Sequence, residues 1–369
     1  MIETKTIKNV LIISYHYPPR ATVGSLRPYG LARYLPQFGW QPTIVSCQDY
    51  TPSPLAKRLG LNQNQNLLSQ VQDLQNKYRF LPIKFLATRY AEIMYYPDPM
   101  KGWATQAIVD STEIIKNNKV NAIISTSFPA TCHIVASKLA TEFHIPWIAD
   151  FRDLWTQSHY YPYSPIRRVF ESALELKTLG RARALVTVSE PLAEQLKSLH
   201  RRSISVIMNG YNTEEVNKGI PLTKERTITH TGNIYPEHQS PEPFFRELAS
   251  QENRGTVVRF YGPKQSWIDQ MARGYGLQDI VRQYGMIPRQ EALQRQWESH
   301  ALLYLPWQGQ EGIYSQKLFE YLAAKRPIIV SGQADPYIQK VIDASKNGGI
   351  EKYSQVEMAR KFAGLLNNL

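Results

Sequence analysis

Apolar positions along this chain fall into two alternating patterns: short unbroken runs, and stretches with apolar residues three and four apart. Asn9–Ser14 (NVLIIS) is an unbroken run, the pattern of a strand buried on both faces of a parallel sheet. It breaks at Tyr15-His16-Tyr17-Pro18-Pro19. A loop then leads through Gly24 and Ser25 into a helix whose predicted apolar face is Leu26, Tyr29, Leu31, Tyr34 and Leu35. Pro42–Ser46 reads as the next strand. Strand-length runs recur at Asn121–Ser125, Trp147–Asp150, Ala184–Val188 and Ser203–Met208, with helix-period stretches such as Thr131–Phe143, Ile166–Leu179 and Pro191–Leu199 between them. This alternation predicts an α/β class protein with a doubly wound parallel sheet.

The pattern then restarts. Residues 209–223 are polar, contain Gly210, Gly219 and Pro221, and read as a linker. Beyond them Thr227–Thr231, Thr256–Tyr261, Ile280–Tyr284, Ala301–Leu305 and Pro327–Val330 read as strands of a second sheet, again alternating with helices. The expectation is two Rossmann-like domains facing a central cleft, 1–210 and 211–350, followed by a terminal helical segment, 351–369. Asp49–Lys101 does not fit the alternation. It holds a Gln/Asn-rich piece, basic pairs and the tyrosines Tyr90, Tyr95 and Tyr96, and reads either as an insertion facing a large substrate or as a plain excursion.

Composition sharpens this picture. The chain has 369 residues, 43% of them hydrophobic, more than one sheet usually organises, since single cores stop growing near ~250–300 residues. Two cysteines, Cys47 and Cys132, exclude a disulfide scaffold, and no Cys/His spacing suggests a metal site. The opening MIETKTIKN lacks the pattern of a signal peptide, and no apolar run approaches the ~20 residues of a membrane span, so the expectation is a cytoplasmic, soluble or peripheral protein. The net charge is +12, and residues 1–220 hold 25 Lys and Arg against 16 Asp and Glu. A half this basic suggests an anionic partner, phosphate ligand or acidic membrane, or a generically basic solvated surface. Nucleic acid is disfavoured because no RNP, helix-turn-helix or zinc pattern occurs. Arg167-Arg168 and Arg201-Arg202 read as solvated pairs, His16 and His133 as structural histidines, and Trp40, Trp103, Trp147 and Trp155 as core or loop anchors.

Ligands of doubly wound sheets bind at the carboxyl ends of strands. The candidates there are Arg20, Gly24 and Ser25 after the first strand, and Asp150, Arg152 and Asp153 after Trp147–Asp150. In the second half they are Gly232 and Asn233, and the segment Glu311–Glu320. Gly24 opens a helix, whose N-terminus suits an anion or simply makes a tight turn. Lys317 and Glu320 lie three apart at the start of a predicted helix, Ser315–Ala324. They suit a diphosphate and a ribose respectively, or form an exposed helix-stabilising pair.

In their order along the chain these segments resemble a known family. They are Val10–Pro19, Gly24–Arg27, Leu35–Trp40, Ile124–Pro129, Pro146–Trp155, Val186–Glu190, Ile207–Gly210, Thr231–Tyr235 and Lys317–Ala324. Together they are similar to the retaining, nucleotide-sugar-dependent glycosyltransferases of family 4, of GT-B fold, that build bacterial surface polysaccharides. The resemblance implies roles. Gly24 and Ser25 line the donor diphosphate from the first domain, and Gly232 and Asn233 approach it from the second. Lys317, with the backbone at Leu318, neutralises the leaving diphosphate, while Glu320 holds the ribose. The Met286-Ile287 turn contacts the base, and Arg152 and Asp153 sit on the sugar side. Gln355–Leu366 packs back on the first domain.

Three positions depart from the family pattern. Its first glutamate falls on Gly312, with Glu311 one residue off. Its usual histidine after Trp147–Asp150 is Arg152. The basic residues after the glycine of the first second-domain strand are replaced by Asn233 and Ser240, which leaves Lys317, helped by Arg20 or Arg27, to meet the phosphates. The resemblance further implies a uridine diphosphate sugar as donor, a glycan or lipid-linked acceptor, no metal and no other cofactor. An anionic inner membrane face becomes a possible docking surface, with Lys57, Arg58, Lys77, Arg79, Lys84 and Arg89 in the insertion. Rival readings are a GT-B epimerase or phosphorylase, and an inactive GT-B scaffold subunit.

Overall fold

The computed structural model describes residues 7–19, 22–47, 89, 92–159, 161, 163–250, 255–333, 335–346 and 349–369. Two compact units emerge: residues 1–207 with 359–369, and residues 208–358. The boundaries lie three residues before the sequence-predicted Gly210 edge and eight after the predicted 350 edge, because the chain at 208–217 and at 350–358 is bonded into the second unit. Tyr211 N–H donates to Tyr353 O at 3.0 Å and Gln355 N–H to Tyr211 O at 2.9 Å.

The first unit is built on β1 (Lys8–Ile13), β2 (Trp40–Val45), β3 (Ala122–Ser127), β4 (Trp147–Phe151), β5 (Ala184–Thr187) and β6 (Ser205–Val206). They form one parallel sheet in the order β2-β1-β3-β4-β5-β6. Its helices are α1 (Leu26–Tyr34), α2 (Ala104–Asn117), α3 (Thr131–Glu142), α4 (Pro165–Leu179) and α5 (Glu190–His200). Val10–Ile13 and Ile123–Ile124 are sealed from solvent, which is why this sheet reads as unbroken apolar runs rather than alternation. Burying each such aliphatic side chain stabilises by about 1.5–3 kcal/mol. The predicted strand Ser203–Met208 shrinks to two paired residues, Ser205 and Val206, on β5 at one edge of the sheet. Trp40, Trp103, Trp147 and Trp155 are buried anchors.

The second unit carries β7 (Arg226–Thr231), β8 (Thr256–Tyr261), β9 (Val281–Gln283), β10 (Ala301–Tyr304) and β11 (Ile328–Val330), parallel, in the order β11-β10-β7-β8-β9. Helices α6 (Glu242–Ala249), α7 (Ser266–Gly274), α8 (Arg289–Trp297), α9 (Gln316–Ala324) and α10 (Pro336–Lys346) flank it, and α11 (Gln355–Asn367) follows. The period of two along β10 divides the core. Leu302 and Tyr304 face a cluster with Leu318, Phe319, Leu322 and Ile338, while Leu303 and Leu305 face one with Phe245, Val258, Phe260 and Ile268. In each sheet the strand order reverses beside the first strand, between β1 and β3 and between β7 and β10. Carboxyl-end loops diverge at such switch points and leave room for ligands.

Four sequence readings change. The stretch 209–223 is no free linker. Asn217 N–H donates to Ala323 O at 2.9 Å and its amide to Ala324 O at 3.0 Å, satisfying carbonyls at the end of α9, while its Oδ1 accepts from Gly219 and Ile220 N–H. The buried face of α1 includes Arg27, whereas Leu26 and Tyr29 are only half-buried. Arg167 is buried, not solvated. It pairs with Glu171 at 3.0 Å, lies 3.3 Å from the Tyr163 ring centre, and donates to the carbonyls of Glu92, Tyr95 and Pro97. Those bonds, with Asp98 accepting from Thr131 N–H at 2.7 Å at the start of α3, tie residues 92–98 into the first unit. Arg202 is also not fully solvated, since it donates to Arg183 O at 3.0 Å. Most of the predicted insertion, with Lys57, Arg58, Lys77, Arg79, Lys84 and Tyr90, lies outside the described residues, as does Arg20.

Candidate functional site

In the second unit the chain leaves β7 through Thr231, Gly232 and Asn233. Gly232 has φ +88°, a left-handed conformation, and a Cβ there would come within 3.4 Å of Lys317 Cε. The left-handed backbone is what favours glycine here; the lysine contact is an ordinary one. Lys317, on the first turn of α9, reaches back so that its Nζ lies 2.9 Å from His230 Nε2 and 3.2 Å from Asn233 O. His230 is the penultimate residue of β7, and its Nδ1 lies 2.9 Å from Leu303 O of β10. A carbonyl can only accept, so Nδ1 carries the hydrogen and Nε2 offers its lone pair to the ammonium. Burial, and then the Lys317 charge, hold the imidazole well below its usual range, so it stays neutral. Burial likewise pushes the Lys317 ammonium down to about 7, against the opposing pull of Glu320. The N-cap Ser315 makes no side-chain cap bond, although its carbonyl accepts from Leu318 N–H at 3.1 Å, so the positive end of the α9 dipole lies beside Lys317 while the Leu318 amide is engaged within the turn.

Lys317 and Glu320 do not pair with each other, the arrangement weighed as an exposed helix-stabilising contact. Glu320 turns the other way and accepts from Arg289 Nη2 at 3.0 Å, while the Arg289 fork also grips Glu215 at 2.7 Å through both nitrogens. Burial raises the Glu320 carboxyl and Arg289 counters it. The Met286-Ile287 turn precedes α8, with Met286 exposed and Ile287 half-buried. The backbone groups of both residues take no partner among the described residues. Gly312, at the position of the family's first glutamate, is left-handed with φ +73°, and its N–H donates to Asp335 at 3.1 Å; the neighbouring Glu311 is exposed.

In the first unit, Gly24 and Ser25 lie in the 3-10 turn that opens α1. A Cβ on Gly24 would stand 2.6 Å from Arg152 Nη1 and 3.1 Å from His16 Cδ2, so Gly24, Arg152 and His16 are gathered at one spot. Arg152 pairs with Asp153, with Nε donating at 3.0 Å. Ser25 is turned inward, its hydroxyl and N–H both directed at Thr22 O. Arg27 is not available to a phosphate. Its Nε and Nη2 donate to the two oxygens of Asp150 at 2.8 and 2.7 Å, and both side chains are sealed. The guanidinium also lies 5.2 Å from the ring centre of Phe362. Asp150 is therefore a structural partner rather than a ligand group. His133 is wholly buried against Phe151, and burial pushes it down to about 3, the behaviour of a core histidine.

Sequence reasoning missed His230 and Arg289. His230 had a signal, being a titratable residue at the carboxyl end of a predicted strand two places before the glycine. Arg289 had none, because its partners stand 31 and 74 positions away.

Searching curated protein sequences gives no match. Among solved structures, the chain resembles Anabaena HepE, crystallised with UDP and glucose, with TM-score 0.61 at 10% identity over 98% of this chain and 100% of that one. It also resembles sucrose-phosphate synthase from Thermosynechococcus elongatus, with TM-score 0.60 at 12% identity over 98% of each chain. A third likeness is the lipopolysaccharide outer core galactosyltransferase WaaB, with TM-score 0.56 at 13% identity over 98% and 100%. At such identities these likenesses speak for the fold, which is GT-B. The profile of Glycosyltransferase Family 4 matches residues 28–215, just over half of the chain, and the chain belongs to that family.

Proposed function

We propose that this protein transfers a sugar, with retention of configuration, from a uridine diphosphate sugar to a glycan or lipid-linked acceptor in surface-polysaccharide synthesis. The observation that carries the reading is the Lys317 ammonium, held by His230 and Asn233 O over the left-handed Gly232 at the carboxyl end of β7. Breaking the sugar–phosphate bond leaves charge on a diphosphate, and a fixed cation beside helix amides stabilises that charge as it develops. A diphosphate next to Lys317 also restores the proton that burial weakens. Glu320 keeps acceptor capacity beyond its bond to Arg289 for the ribose hydroxyls, and the unpartnered backbone of Met286 and Ile287 suits a base edge. In the first unit, Gly24 and Arg152 supply an approach and a cation, and Asp153 orients Arg152. Retention follows from front-face attack, in which the departing phosphate takes the acceptor proton; neither a carboxylate pair nor a metal is then required.

The first unit also supports a peripheral site of action at an anionic cytoplasmic membrane face. Ile166, Val169, Phe170 and Leu176 are exposed along one side of α4 with Lys177 among them, and Ile93 is exposed as well. Apolar residues interleaved with cations are the pattern of a helix lying in a headgroup layer. No described helix is long and apolar enough to cross a membrane. Two experiments test the reading. Thermal shift against nucleotide sugars, with turnover assayed in the presence of EDTA, tests the donor; no shift with any uridine nucleotide sinks it. Co-sedimentation with vesicles rich in anionic lipid, with Phe170→Ser as control, tests the surface; binding that ignores lipid charge and this substitution removes it.

A further inference from the structure

We propose that His230 is the positioning residue for Lys317, fixing the ammonium where a donor diphosphate meets it. The proposal rests on the donor reading of Lys317 and adds a residue that reading does not assign. The geometry runs through three elements. The Leu303 carbonyl of β10 takes the Nδ1 hydrogen of His230 on β7 at 2.9 Å, which fixes the ring's tautomer and turns Nε2 outward. Nε2 then accepts from the Lys317 ammonium of α9 at 2.9 Å, and Asn233 O accepts a second hydrogen at 3.2 Å. An ammonium has three donors, so one remains for a ligand oxygen.

Glu320, on the same helix as Lys317, is drawn off by Arg289 of α8, which Glu215 also holds. Behind His230 lies the Phe260 ring, 5.7 Å away, which offers no charge. No carboxylate therefore neutralises Lys317 by direct contact among the described residues, and the neutral imidazole is its principal side-chain support. A carboxylate at position 230 would neutralise the cation and weaken its pull on a diphosphate; an aliphatic residue would leave it only the Asn233 carbonyl. A neutral acceptor holds the charge in place and leaves it unspent. Burial of both groups, which lowers their proton affinities, is consistent with a pair that shares a single proton until an anion arrives.

The test uses the full chain and two readouts. The first is NMR titration of the Lys317 side chain, assigned with Lys317→Arg, in wild type, His230→Leu and His230→Gln without ligand. The second is calorimetric titration with UDP-glucose at pH 6 and pH 8. With the acceptor removed in His230→Leu, the Lys317 titration is expected to fall by about one unit, and UDP-glucose affinity at pH 8 to weaken about tenfold, with a smaller loss at pH 6. His230→Gln, which keeps an acceptor at that reach, is expected to stay within about threefold of wild type, whereas a purely packing role would weaken both variants alike and at both pH values. An unmoved Lys317 titration in His230→Leu overturns the proposal even when wild type binds UDP-glucose. A shifted titration in a wild-type protein that does not bind UDP-glucose overturns the donor reading and leaves the His230–Lys317 coupling standing.

Discussion

Each unit holds a cation near the carboxyl end of its parallel sheet, and the two are supported in opposite ways. Arg27 of the first unit meets both oxygens of Asp150, stacks near Phe362 and is cut off from water. Lys317 of the second meets a neutral imidazole and a carbonyl, with no carboxylate in direct contact among the described residues. A bidentate, fully desolvated pair has spent its charge on the fold. An ammonium held only by neutral acceptors still has charge to give. Proximity to a strand end did not separate these two basic residues; the chemistry of their partners does.

The largest effect that tests this contrast is on stability. Asp150→Ala leaves Arg27 charged and buried without a partner, a change that costs about 3–5 kcal/mol in comparable buried pairs. Denaturant unfolding should show a loss of that order, and Phe362→Ala should add to it by removing the stacked ring. Lys317→Met should lose no stability near neutral pH. Folding depresses the Lys317 pKa from 10.5 to about 7, so the unfolded chain binds more protons between those values and the lysine is an unfavourable presence below 7. The variant should therefore be the more stable protein at pH 6, and its advantage should shrink as pH rises from 7 towards 10. A Lys317→Met protein that is less stable at pH 6 would make Lys317 a structural cation like Arg27.

The difference between the two cations was hidden in the sequence for a physical reason. Asp150 lies 123 positions from Arg27, and His230 lies 87 from Lys317. Spacing along the chain displays a residue's neighbours on its own helix, and here those neighbours are not the partners. Glu320, three residues from Lys317, goes to Arg289 instead. What the sequence displays well is burial with a short period. Val10–Ile13 and Leu302–Leu305 read as central strands because every residue in each is covered. Polar segments are harder, as Asn217 shows. Its donors look solvated until the end of α9 is seen to need them.

Activity gives the next effect. Lys317→Ala should lower turnover by more than about tenfold, since one preorganised charge on a leaving group is commonly worth that much or more. Its melting curve should stay close to that of wild type, which separates lost chemistry from lost fold. Glu320→Ala should act mainly on nucleotide affinity, read as a smaller UDP-induced thermal shift. Wild-type turnover in Lys317→Ala would mean that the unspent charge of the second unit serves something other than the donor.

The smallest effect concerns the two arginine–carboxylate pairs. Arg27–Asp150 is sealed, whereas the Arg289 side chain is 39% exposed and shares itself between Glu320 and Glu215. The Arg289 end of these pairs reaches solvent and part of its energy is screened, so Arg289→Gln should move the unfolding midpoint far less than breaking the sealed Arg27–Asp150 pair. Its effect should be on titration. Burial raises the Glu320 carboxyl and Arg289 opposes that rise, so without Arg289 the carboxyl keeps its proton to a higher pH. A protonated Glu320 is a poorer acceptor for ribose hydroxyls. UDP-glucose affinity in Arg289→Gln should therefore match wild type within about threefold at pH 8 and fall away more steeply as pH drops towards 5.5. Parallel pH profiles for the two proteins would show that Arg289 does not set the charge of Glu320, and would leave Glu215 as its main partner.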